Sequence, residues 1–171
     1  MIDSQNYSTV TPAPAPRPAA VGPMPPDLHW AAVLVISFFT FGIFGMYWSY
    51  REASFVKKID TTSNAVQQWL GIVACFVLMN IVVLVGIVLG ALGLVGVGVL
   101  AFFTRIAFLA MVGLIIYTAF GMRTSLLRHY TTVEPIGLQL SPVMTFFFNF
   151  TYLQYHFSKI AAWKKSQPQT A

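Results

Sequence analysis

Charge is what this chain has least of. Only 9% of its 171 residues are Asp, Glu, Lys or Arg, against 57% that are hydrophobic. A typical soluble domain is roughly a quarter charged, so this composition excludes an ordinary water-facing fold. Cysteine is nearly absent too. Cys75 stands alone, which rules out an internal disulfide or a CxxC redox pair, and a single cysteine in an apolar run reads as a small packing residue. The three histidines, His29, His129 and His156, have no second ligand at helical spacing, so no metal centre is expected. No glycine-rich loop carries the lysine that a phosphate-binding Walker motif requires, and neither a cofactor nor a nucleic-acid partner is expected.

What the chain does have is long runs without charge. Residues 30–50, 69–104 and 106–122 are such runs, of 21, 36 and 17 residues. A helix needs about 20 apolar residues to cross a bilayer core. The first run ends in "FFTFGIFGMYWSY" before Arg51. A soluble aromatic cleft is one reading of it; an apolar span closing on an aromatic belt is the reading that fits the rest of the chain. The 36-residue run would be about 54 Å long as one helix, against a core of about 30 Å, so it must fold back. Its glycines between 86 and 98 mark the hairpin. The expected fold is all-α and membrane-embedded, with spans at about 30–50, 69–89 and 99–122. Asn64, with Gln67 three residues on, signals the start of the second.

The ends differ from the middle. Residues 1–29 hold seven of the ten prolines and read as a disordered tail, not a signal peptide. Residues 165–171 read as a short polar tail. Between them Ser141 and Pro142 open a helix over about 142–163. Phe146, Phe150, Leu153, Phe157 and Ile160 would share one face of it, and Asn149, Tyr152, His156 and Lys159 the other. That helix is expected either to lie amphipathically in the interface or to cross as a fourth span. Lysine and arginine favour the first topology, with the N-terminus outside, the C-terminus cytoplasmic and only Arg17 among the loop cations outside.

Candidate functional residues are few. All five acids fall outside the expected spans, which disfavours a carboxylate proton carrier. Asn80, Arg105 and Asn149 are the candidate intramembrane polar groups. Arg105 is expected to snorkel toward headgroups and Asn80 to bond within the bundle. Gly42 with Gly45, and Gly86 with Gly90, are candidate notches for close helix packing, either within the chain or between copies.

The stretch "HWAAVLVISFFTFGIFGMYWSYREASFVKKID", with Thr40, Gly42, Ile43, Gly45 and Trp48 at its centre, resembles a group of small bacterial membrane proteins classified only as a domain of unknown function. The closing "MTFFFNFTYLQYHFSKIAAWK" is similar to the end of that group. The resemblance implies a bacterial inner-membrane location and carries no activity. The functional expectation is a small multi-pass protein with a non-enzymatic role in interaction or assembly, its candidate partners the lipid bilayer and either further copies or other membrane proteins. A channel or transporter of a small solute is the alternative.

Overall fold

The computed structural model describes residues 22–94 and 96–167. Five helices make up the regular structure of the described residues: α1 (Trp30–Phe39), α2 (Ile43–Ile59), α3 (Ala65–Ala91), α4 (Val97–Thr132) and α5 (Pro142–Ser166). Residues 1–21, most of the expected tail, and 168–171 lie outside that description.

Among the described residues, α3 and α4 are the two helices long and apolar enough to cross a membrane. They pair as a hairpin turning at Leu92 to Gly96, where Gly93 takes a positive φ of 72°. The glycines decide how closely they pair. A Cβ on Gly86 would sit 2.2 Å from Leu100 Cδ1, and one on Gly71 3.8 Å from Leu114. Gly86 is therefore a notch filled within the chain, the packing expectation in its intramolecular form. Gly90, one turn on, is half-buried. Outside this seam, along the hairpin half of both helices, the apolar side chains face outward: Leu84, Ile87, Phe102 and Leu109 are all exposed.

The expected first span is a different object. Residues 30–50 do not form one helix, because Phe41 and Gly42 take φ values of 51° and 87° and break it. α1 is only 10 residues long, about 15 Å, half a bilayer core. The chain doubles back there, since a Cβ on Gly45 would meet Ser37 Oγ at 2.9 Å. Gly42 is thus a left-handed turn residue and not a packing notch, whereas Gly45 is one. The turn of this hairpin carries Phe38, Phe39, Phe41 and Ile43, the most exposed being Phe41 at 95%.

At the opposite end of the hairpin the chain closes a core as a soluble domain would. Phe55 and Val56 of α2, Met122, Leu126 and Tyr130 of α4, and Leu153, Phe157 and Ile160 of α5 are buried together with Leu140. Phe55 meets Phe157 edge-on at 5.3 Å. Each fully buried side chain of this size contributes about 1.5–3 kcal/mol. Arg123 clamps the α4–α5 connection by donating from Nε and Nη2 to the Leu140 carbonyl at 3.0 and 2.6 Å. Asp60 fastens the α2–α3 loop. Burial raises its carboxyl, but bonds from Thr62 and Ser125 and the nearby Arg128 outweigh that and bring it to about 2.

Side-chain caps start α1 and α5, whereas the N-cap residues of α2, α3 and α4 make none. Ser141 Oγ accepts from the Met144 N–H at 3.4 Å, with Pro142 at the first turn. Asn64 holds the N-cap position of α3 but makes no side-chain cap; Ser63 Oγ accepts from Ala65 N at 3.3 Å instead. α5 bends at Asn149, where φ is 44° and ψ −124°. The bend separates an exposed first part with Phe146 and Phe147 from the buried face of Leu153, Phe157 and Ile160, so Phe146 does not share that face.

The two ends of the chain meet. Residues 22–29 are not a free tail: Pro25 and Pro26 are buried, Lys164 Nζ donates to the Pro23 carbonyl at 3.3 Å, and Lys165 pairs with Asp27. Asp27, just before α1, and Lys165, near the end of α5, therefore lie together, whereas the expected first span would have put them on opposite sides of a bilayer.

Candidate functional site

The α1–α2 hairpin, α5 and its bend enclose a cavity of about 350 Å³. Three features of the chain make it. Gly45 lets α1 lie close against α2, the Asn149 bend turns α5 aside, and the strap of residues 22–29 before α1 is hydrogen-bonded to α5 beside it. Gln154, fully buried, ties the three together. Its Oε1 accepts from Trp48 Nε1 at 2.8 Å, and its Nε2 donates to the Leu28 carbonyl, which also accepts from Ser158 Oγ at 3.1 Å.

The cavity is lined by both polar and apolar groups, and three of its buried polar atoms have no partner. Glu52 is 1% exposed. Its Oε2, together with Ser37 Oγ and Asn149 Oδ1, is buried without a hydrogen-bond partner, and all three residues line the space. Buried polar atoms are nearly always paired, so three orphans around one cavity require an explanation. No cation among the lining residues neutralises Glu52, and burial pushes its carboxyl well above the usual range. Trp30, Phe148 and Phe150 contribute aromatic wall. Leu34 and Phe148, both exposed, bring the cavity to the molecular surface.

Of the expected polar residues, only Asn149 belongs to this cavity. Asn80 spends its amide on the Phe76 carbonyl of its own helix at 2.7 Å and is exposed. Arg105 is also exposed. The register set by Gly86 against Leu100 and Gly71 against Leu114 puts Asn80 and Arg105 at about one level of the hairpin, yet no hydrogen bond joins them among the described residues. Glu52 was not anticipated as a site residue, because it follows the apolar run and reads as a solvated charge. The available signal was its position one turn after Trp48, on the face that Gly45 and Ser49 share.

A second buried polar cluster lies near the chain ends. Glu134, fully buried, accepts from Lys164 Nζ at 2.9 Å, and His129 Nε2 stands 3.8 Å from its other oxygen. This pair joins the α4 C-terminus to α5 and the strap, and its charges are matched, so it reads as a structural joint. Among the described residues no three His, Cys, Asp or Glu side chains gather as a metal site would require. His156 stacks edge-on against Tyr152 at 4.7 Å, away from the cavity lining. Cys75 is exposed on α3.

Comparison of the chain with protein-family models, curated proteins and solved structures finds no match.

Proposed function

We propose that the chain is a small integral protein of the bacterial inner membrane with a non-enzymatic role in interaction or assembly, anchored by α3 and α4, with the α1–α2 hairpin seated in one leaflet. The observation that carries this reading is the division of the surface. α3 and α4 are apolar on their exposed faces, the hairpin turn is a cluster of exposed phenylalanines and isoleucine, and the far end is a closed core ringed by charge. A soluble protein does not expose contiguous apolar area on this scale, whereas a bilayer covers it without cost. A 10-residue α1 is too short to cross, so the hairpin enters and leaves by the same face.

Orientation follows from cations. Arg51, Lys57, Lys58, Arg123, Arg128, Lys159, Lys164 and Lys165 belong to the core end, and short loops rich in lysine and arginine stay in the cytoplasm. Both described chain ends are therefore cytoplasmic and the turn at Leu92 to Gly96 is periplasmic. The resemblance of the first and last segments to small bacterial membrane proteins agrees with this location.

Single cysteines at Thr61, Ser166 and Leu94, in a Cys75→Ala background, test the arrangement with an impermeant thiol reagent on spheroplasts. Only the Leu94 position is expected to label. Labelling at 166 without 61 would establish a crossing α5 and overturn the two-span reading.

A further inference from the structure

We infer that the cavity between the α1–α2 hairpin and the α5 bend receives a primary ammonium group, presented by an aminophospholipid headgroup or by a free amine. This deepens the membrane reading above and rests on it. The argument starts from what the three orphaned oxygens can accept. Asn149 Oδ1 can only accept a hydrogen bond, an ionised Glu52 Oε2 likewise, and Ser37 Oγ can do so. An anionic ligand would oppose Glu52, and an apolar one would leave all three unpaired. A primary ammonium brings one positive charge and three N–H donors, which matches one carboxylate and two further acceptors. A quaternary ammonium brings the charge without the donors.

The walls agree with that chemistry. Trp30, Phe148 and Phe150 offer aromatic surface to a cation, and no lysine or arginine lines the space to compete for Glu52. A group of this size fits easily within about 350 Å³. Depth agrees as well. The phenylalanine turn of the hairpin enters the hydrocarbon, so a cavity running back along α1 from Ser37 to Trp30 lies at the level of the headgroups. Asn149 holds a backbone conformation that side-chain-bearing residues rarely adopt, and such strain concentrates where a side chain must be aimed. When the ammonium enters, the proton that burial keeps on Glu52 leaves to solvent, and the carboxylate is neutralised by the ligand.

The test uses the full chain in nanodiscs of phosphatidylcholine, with tryptophan fluorescence as the readout. Ethanolamine is titrated, with choline as the comparison. A parallel set of nanodiscs contains phosphatidylethanolamine, and thermal midpoints are measured in both. If the source is a free amine, ethanolamine binds in phosphatidylcholine discs about tenfold or more tightly than choline, and Glu52→Gln weakens it by about tenfold or more. If the source is the lipid, phosphatidylethanolamine raises the midpoint of the wild type but not of Glu52→Gln, and prevents ethanolamine from titrating. Ser37→Ala, which leaves the charge and shortens no helix, should weaken either response by a smaller factor and guards against a misfolded Glu52→Gln. The inference is overturned if neither amine source affects the wild type, if choline matches ethanolamine, or if Glu52→Gln responds as the wild type does. A chain that fails to enter nanodiscs at all would instead overturn the membrane reading, before any amine is added.

Discussion

Trp48 of α2 donates its indole N–H to Gln154 of α5 at 2.8 Å, across 106 positions of sequence, and both side chains are buried. This bond fixes the hairpin to the helix that completes the cavity, and Gln154 passes the restraint on to the strap through the Leu28 carbonyl. Trp48→Phe leaves Gln154 Oε1 buried without its donor and should cost about 1–3 kcal/mol. Adding Gln154→Met removes the orphan, so the double variant should lose less than the two single losses combined. Melting temperatures in detergent for the four members of this cycle decide the matter, and strict additivity would mean that the bond contributes nothing.

Asn149 sits at φ 44° and ψ −124°, where glycine is at ease and other residues are strained by about 1–3 kcal/mol. Asn149→Gly should therefore keep or raise the melting temperature although it deletes a side chain, and Asn149→Val should lower it clearly. A glycine variant less stable than the valine variant would show that the bend is held by the amide and not tolerated in spite of it.

Gly45 permits the hairpin because a Cβ there would lie 2.9 Å from Ser37 Oγ and 3.4 Å from Ser37 Cβ. Gly45→Ala should destabilise by about 1–3 kcal/mol through overpacking. Combining it with Ser37→Gly should recover much of the loss, since the second change makes room for the first. Thermal unfolding of both variants measures this, and no recovery would place the strain elsewhere.

His156 provides the pH dependence. Burial, with Lys159 beside it, lowers its pKa from 6.5 to about 4. The unfolded chain thus binds a proton more readily than the folded one between those values, so stability is full above about 6.5 and declines as the pH falls toward 4. The ring is half open to solvent, which limits the effect to about 1–2 kcal/mol. The midpoint should fall on acidification from pH 7 to pH 4.5, and His156→Gln should flatten that slope. An unchanged slope in the variant would assign the acid sensitivity to another group.

Much of this architecture could be read from residue order alone, and the reasons are local. An uninterrupted apolar run with glycines in its middle can only be a helical hairpin, hence α3 and α4; Ser141 followed by Pro142 announces α5 by its own hydrogen-bonding chemistry. The break at Phe41 and Gly42 was hidden because the residues on both sides are equally apolar, so composition could not distinguish one long helix from two joined by a turn. The same holds for Glu52. Its place on the Gly45–Ser49 face of α2 hints that it turns inward but does not show that α1 and α5 will bury it, since its burial comes from Gly45, Asn149 and Gln154 acting across the fold. Asn149 was singled out as polar at depth, but its bend is imposed by packing and leaves no local mark.

The α1–α2 hairpin has one more consequence, which concerns the bilayer. On the membrane reading proposed above, α3 and α4 would occupy both leaflets, whereas the α1–α2 hairpin, with an α1 of only 10 residues, would stay in the leaflet beside the core. The body is therefore a taper, broad on one side of the midplane and two helices wide on the other. Lipids around it must make up the difference in lateral area, and they do so at least elastic cost where the membrane bends away from the broad side, so the protein's own outline would bias where in a curved membrane it collects.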